Sequence, residues 1–84
     1  MTSEAIQERL KPIVKLYVNN QENFKNLTFE SNFINDLEIN SANLVDIVLD
    51  VEDEFDIRIE NDDMEKMTNV EATVKVIQKK LAAK

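Results

Sequence analysis

The sequence predicts an all-α fold: a small four-helix bundle with three longer helices, one short third helix, and a long packed loop between helices 1 and 2. Three observations support this. Apolar residues recur every three or four positions in several segments, as on one face of a helix. Gly is absent, which removes the Asn-Gly hairpins common in β folds. The chain has 84 residues, so we expect residues 1–84 to form a single domain.

The first predicted helix covers residues 3–18. Thr2 or Ser3 can cap its start. Pro12 lies within the apolar stripe, so we expect one continuous helix that bends over residues 8–12. The stripe consists of Ile6, Leu10, Ile13, Val14 and Tyr17.

Residues 19–40 are predicted to form the long loop, because seven of them are Asn, which favours turns and caps over helix interiors. The loop also carries apolar side chains that are too numerous for a flexible linker. We expect it to lie across the helices and contribute to the core. Its apolar residues are Phe24, Leu27, Phe29, Phe33, Ile34 and Leu37.

The second predicted helix begins at Asn40 or Ser41, both of which are good capping residues. Its buried face is predicted to contain Leu44, Ile47, Val48, Val51 and Phe55. Val45 and Leu49 lie to one side of that face, next to acidic residues. The acidic outer surface comprises Asp46, Asp50, Glu52, Asp53 and Glu54.

Beyond this helix, residues 56–60 are predicted to be an extended connection with Ile57 and Ile59 turned inward. Asn61 is predicted to cap a short helix that runs to residue 67. Thr68, followed three residues later by Glu71, predicts a capping box at the start of the last helix. The buried stripe of that helix is Val70, Val74, Ile77 and Leu81.

Composition excludes several classes of function. The chain has no Cys and no His, which removes disulfides, the usual zinc ligands and His-based triads. Its net charge of −7 disfavours nucleic acid as a partner. No apolar run is long enough to insert across a membrane, and the first residues lack the pattern of a secretory signal. These features favour a soluble, cytoplasmic monomer.

The negative charge is concentrated in residues 36–67, which carry 12 acidic and 2 basic residues, whereas the rest of the chain sums to +3. Such a field steers basic partner surfaces. The acidic residues lack the central Gly and the spacing of an EF-hand calcium loop, so we expect no dedicated metal site. A pocket for paired catalytic carboxylates is also unexpected in so short a chain, and the sequence does not predict an enzyme.

Ser41 has two interpretations from the residues alone. It can simply cap the second helix, since Ser is common at that position. Alternatively, another enzyme modifies its hydroxyl, because an exposed helix N-terminus is accessible and favours an attached phosphate. Self-activation is unexpected without a neighbouring base. Composition does not decide between the two.

A set of short motifs follows in order along the chain: 33–37 (FINDL), 40–42 (NSA), 45–48 (VDIV), 52–56 (EDEFD), 59–63 (IENDD) and 65–70 (EKMTNV). With these motifs the sequence resembles the acyl carrier proteins over about the whole chain. Their order and spacing are more specific than the surroundings of a single serine. Five residues depart from the family pattern. Asn40 and Ala42 replace the usual Asp and Leu around the serine, Glu38 and Ile39 replace small residues, and Pro12 is unusual in the first helix.

The resemblance implies that a separate phosphopantetheinyl transferase attaches 4′-phosphopantetheine from coenzyme A to Ser41. The thiol of this arm would hold acyl groups as thioesters, sheltered between the helices or released to acyl-transferring, chain-elongating or modifying enzymes. The second helix would dock on basic patches of these partners. The implied recognition residues are Asn40, Ala42, Val45, Asp46, Leu49, Glu52 and Asp53.

Two alternatives to an acyl carrier of fatty-acid or polyketide biosynthesis remain open at this point. One is an unmodified acidic helical module that binds basic proteins through the second helix. The other is a carrier of amino acids or other non-fatty groups. A specialised carrier of secondary metabolism agrees with the departures from the family pattern as well as a general one does.

Overall fold

The computed structural model describes residues 2–28 and 30–83, and the predicted Phe29 core contact lies outside them. The architecture is all-α, which confirms the predicted fold class. Helix α1 packs on α3 and α5, and α4 packs on α5. The helices are α1 (Ser3–Lys15), α2 (Gln21–Lys25), α3 (Ser41–Phe55), α4 (Asn61–Lys66) and α5 (Val70–Ala82).

Helix α1 is capped by Thr2, whose hydroxyl accepts a hydrogen bond from the amide of Ala5, as predicted. Pro12 lies inside the helix. The predicted C-terminal boundary at residue 18 was wrong, because α1 ends at Lys15. The two following amides bond to carbonyls three residues back, which tightens the final turn. The turn still directs Tyr17 and Val18 towards the core, and this explains why the apolar pattern continues beyond the helix.

The long loop contains an additional one-turn helix, α2, which the sequence pattern did not reveal. Phe33 and Leu37 are fully buried, and Phe24 and Leu27 pack partly buried against the core. The loop therefore contributes to the core as predicted. Ile34 is the exception, since it is 46% exposed.

Two predicted caps were wrong. The N-cap of α4 is Glu60 rather than Asn61, because the Glu60 and Asp63 carboxylates bond reciprocally to each other's backbone amides. The N-cap of α5 is Asn69 rather than Thr68, and its Oδ1 accepts the amide of Ala72 at 2.8 Å. The carbonyl of Thr68 instead accepts a hydrogen bond from the amide of Phe33, a buried residue of the loop.

The main core is formed by the apolar stripes of α1, α3 and α5 together with the loop residues. A second, smaller cluster of buried residues consists of Val48, Met67 and Val76, with Ile59 and Met64 packed against it. Ile57 also packs against the main core, so both isoleucines of the connection after α3 turn inward as predicted.

Candidate functional site

Ser41 is the first residue of α3 and is exposed. Asn40, with extended backbone angles of φ −62° and ψ 136°, is the N-cap. Its Oδ1 accepts the amide of Ala42 at 2.9 Å, and its carbonyl accepts the amide of Asn43 at 2.8 Å. The capping role considered for Ser41 is therefore carried out by the preceding residue.

The Ser41 hydroxyl makes no hydrogen bond within the part of the chain that the structure describes. The first turn of α3 contains no acidic residue, so the positive end of the helix dipole is not neutralised there. The chain has no His, and no group of three or more acidic side chains in residues 2–28 and 30–83 could hold a metal ion. Ser41 therefore needs an external base to act as a nucleophile.

Three asparagine amides fix the loop that leads to Ser41. Asn19 Nδ2 donates to the carbonyl of Glu38 at 2.8 Å, and Asn20 Nδ2 donates to the Glu38 carboxylate at 2.7 Å. Asn23 Nδ2 donates to the carbonyl of Asp36 at 2.6 Å. The sequence predicted a loop from its many Asn residues, but not that these side chains bind the segment before the serine.

Buried apolar side chains hold the same loop from the inside. Phe33, Leu37 and Ile39 are each at most 2% exposed, and the Ile39 amide donates to the Phe33 carbonyl at 2.9 Å. Between two of them, Glu38 has a positive φ of 55°. Hydrogen bonds and buried side chains therefore fix the backbone that leads to the exposed Ser41.

Most of the predicted recognition residues of α3 form one exposed stripe. Val45 is 48% exposed and Leu49 is 54% exposed. Spacings of three and four residues place these side chains on one helix face. An alanine and two acids share this exposed face with them. We name the five residues the α3 stripe: Ala42, Val45, Asp46, Leu49 and Asp53.

Glu52, also predicted to recognise partners, is engaged within the molecule. Its Oε2 accepts the amide of Ile59 at 2.7 Å, which fixes the connection between α3 and α4. Arg9 forms an ion pair with Glu54 at 3.2 Å and stacks on the ring of Phe55 at 5.6 Å. The acidic face of α3 is therefore partly used to hold neighbouring elements.

The sequence did not predict the hydrogen bond that Tyr17 forms with α3. Its hydroxyl donates to Asp50 Oδ2 at 2.8 Å and so joins the turn after α1 to the middle of α3. The bond to the Asp50 carboxylate raises the pKa of the Tyr17 phenol above its usual value. The available signal was a tyrosine at the end of an apolar stripe, since a buried ring of this kind usually directs its hydroxyl to a polar partner.

The profile of the phosphopantetheine attachment site family matches residues 4–77. This chain belongs to the acyl carrier protein family. It is 38% identical to the acyl carrier protein of Thermotoga maritima, with 93% of this chain and 94% of the relative covered. It is 35% identical to that of Buchnera aphidicola, covering 89% and 91%, and 34% identical to that of Petrotoga mobilis, covering 96% and 93%.

Acyl carrier proteins are carriers rather than enzymes, and the group that this family carries is a covalently attached 4′-phosphopantetheine. The start of α3 fits a phosphodiester, because an exposed hydroxyl lies at a helix N-terminus with no acid in the first turn. Across the described residues, no helix is long and apolar enough to cross a membrane.

Proposed function

We propose that Ser41 is the attachment residue and that the chain carries acyl intermediates to enzymes of fatty-acid or polyketide and other secondary-metabolite biosynthesis. The observation that carries the assignment is a comparison of the three serines. Ser31 is buried and its Oγ accepts the amide of Thr28 at 3.0 Å, and Ser3 is half-buried on α1. Ser41 alone combines an exposed side chain with the start of a long helix.

In the proposed modification, the Ser41 oxygen attacks the coenzyme A phosphorus that bears the pantetheine group, and the bond from that phosphorus to the bridging oxygen of the pyrophosphate breaks. Adenosine 3′,5′-bisphosphate leaves with the bridging oxygen, and Ser41 is joined to the arm through a phosphodiester. The serine proton passes to a base of the transferase, because the chain offers no imidazole. When attached, the arm supplies a thiol that holds an acyl group as a thioester. The first turn of α3 favours the phosphodiester charge through the helix dipole.

The α3 stripe is the proposed docking surface for the transferase and for the acyl-processing enzymes. Asp46 and Asp53 are exposed carboxylates about two helical turns apart, a distance of about 10 Å along the axis. Between them, Leu49 offers an apolar contact of the kind that anchors an interface. Partners with basic patches around an apolar recess fit this arrangement.

The small cluster of Val48, Met67 and Val76 is the proposed shelter for the acyl chain. It is a separate cluster that meets the main core only through partly buried residues such as Ile59. Methionine side chains adapt readily to a changed occupant because they are unbranched and flexible. The proposed working form is a monomer in the cytoplasm. Of the large exposed apolar side chains among the described residues, only Val45 and Leu49 lie together, on the α3 stripe, and this is a small apolar surface for self-association.

Intact mass spectrometry tests the attachment residue. We expect a promiscuous phosphopantetheinyl transferase with coenzyme A to add one arm to the wild type and none to Ser41→Ala. Ser3→Ala and Ser31→Ala are matched controls and should both accept one arm. Modification of Ser41→Ala, or failure of the folded wild type with several transferases, would contradict the assignment.

Intact mass of the protein from its native cell tests the pathway. A fatty or polyketide acyl group on the arm supports the proposal, whereas an aminoacyl group would assign the chain to another class of carrier. If the protein from its native cell carries no arm, and Ser41→Ala binds basic proteins as well as the wild type does, the result would favour an unmodified interaction module.

A further inference from the structure

A cleft of about 340 Å³ lies between α1 and the segment that contains α2. Its volume is at the lower end of the range for small-molecule sites. No residue of α3 lines it, so it is separate from the attachment site. The lining residues are Lys11, Lys15, Gln21, Phe24, Lys25 and Leu27.

The rim of this cleft is basic in a chain whose net charge is −7. Three lysines converge on it from two helices. Lys11 is paired with Glu8 at 3.0 Å. Among the described residues, neither Lys15 nor Lys25 has a carboxylate within ion-pair distance, and both are exposed. The rim therefore offers two ammonium groups to an anion.

The base of the cleft is apolar. Phe24 and Leu27 are half-buried and pack against the main core, which leaves part of each side chain facing the cleft. Their positions are fixed by the backbone, since the Phe24 amide donates to the Asn20 carbonyl at 3.1 Å and the Leu27 amide donates to the Phe24 carbonyl at 3.2 Å. The apolar surface is thus present before any ligand binds.

We propose that this cleft binds a free single-chain carboxylate amphiphile without covalent attachment. The carboxylate would lie between Lys15 and Lys25, whose ammonium groups act as point charges. The hydrocarbon chain would lie on Phe24 and Leu27, where its burial is favourable. A concave site with separate charged and apolar parts matches a small amphiphile better than a flat surface of a partner protein.

The test uses the Ser41→Ala protein, which lacks the proposed attachment residue, so the result does not depend on the arm. Octanoate is titrated while backbone amide shifts are followed by NMR. We expect saturable shifts centred on residues 21–27 and the end of α1. Octanol, which lacks the charge, and butyrate, which lacks the chain, should each bind at least several-fold more weakly.

Charge reversal provides the matched comparison. Lys15→Glu/Lys25→Glu should weaken octanoate binding roughly tenfold or more, because two attractions become repulsions. Lys66→Glu/Lys79→Glu makes the same change of net charge at exposed lysines of α4 and α5 and should bind like the parent. If the first pair does not fold, Lys15→Gln/Lys25→Gln should still weaken binding several-fold.

Three outcomes would overturn the proposal. These are the absence of saturable shifts at Phe24 and Leu27, equal affinity for octanol and octanoate, and equal losses in the two charge-reversed pairs. None of them would alter the proposed attachment at Ser41, which is measured by mass in a separate experiment.

Discussion

Glu38 shows how a single residue can occupy a backbone conformation that its side chain disfavours. Its φ of 55° lies in the left-handed region, where a Cβ atom is costly and glycine is not. A glycine at this position would meet the requirement directly, because it has no Cβ atom. Here the carboxylate and carbonyl of Glu38 accept hydrogen bonds from Asn20 and Asn19, which offset the cost.

Comparing two substitutions isolates the backbone cost at Glu38. Glu38→Ala and Glu38→Gly both remove the carboxylate that Asn20 binds, but only alanine keeps the Cβ atom. We expect the glycine variant to be more stable than the alanine variant by about 1 kcal/mol, as measured by urea unfolding. Equal stability of the two would show that the left-handed conformation is not retained in solution.

At the scale of the element, α3 carries some acids that bond to neighbouring elements and others that face solvent. Asp50, Glu52 and Glu54 are bound to Tyr17, the Ile59 amide and Arg9 respectively. The α3 stripe presents its own acids on the exposed side. The acidic residues of this helix therefore differ in their contacts, although they follow one another closely in the sequence.

This division predicts that charge reversal on the stripe impairs docking. Asp46→Lys/Asp53→Lys should lower kcat/KM for phosphopantetheinyl transfer about tenfold or more at low salt, mainly through a higher KM. Asp62→Lys/Glu65→Lys, which changes two exposed acids of α4, is the control and should lose less than about threefold. Equal losses in both pairs would mean that net charge alone governs the encounter.

At the scale of the whole molecule, stability reflects opposing electrostatic effects. Crowded acids in residues 36–67 repel one another, so protonation relieves part of this strain as the pH approaches the isoelectric point near 4.5. The ion pair between Asp63 and Lys80, at 2.7 Å, has the opposite effect, because protonation of Asp63 at low pH removes it and so lowers stability. It joins α4 to α5 and is largely shielded from solvent.

The hydrogen bond from Lys80 lowers the pKa of Asp63, and the Glu60 amide adds to this effect, although burial of the carboxyl acts against it. Folding therefore favours the ionised carboxylate. Its stabilising contribution is complete above the unfolded pKa of about 3.9 and is lost as the pH falls through the lowered native value.

Unfolding free energies across pH test this linkage. At pH 7, Asp63→Asn should be less stable than the wild type by about 1 kcal/mol, because a shielded ion pair is lost while the amide can still cap α4. The difference should shrink as the pH falls below about 4. Asp62→Asn, the exposed neighbour, should not show this convergence, and a difference for Asp63→Asn that stays constant down to pH 2 would be contrary to the assignment.

The sequence allowed the fold class and the long buried stripes to be predicted because helical periodicity directly encodes which face is buried. The ordered family motifs led to the proposal that Ser41 is the attachment residue and that α3 is the docking helix. Periodicity could not give the end of α1, since the turn after that helix also packs Tyr17 and Val18 against the core. It could not reveal α2, since this short helix contains a single apolar residue, Phe24. The predicted caps were also wrong where two candidate residues adjoin, as at Thr68 and Asn69. The choice between them depends on which backbone groups form hydrogen bonds with a distant loop.

Helix capping and the proposed attachment belong to two neighbouring residues, Asn40 and Ser41, although a single serine could have served for both. Because the side-chain oxygen of Asn40 caps α3 by accepting the Ala42 amide, esterifying the Ser41 hydroxyl removes no hydrogen bond within the described residues. Under the proposed attachment at Ser41, the chain would fold completely before it receives the arm. Removal of the arm would then not require the carrier to refold.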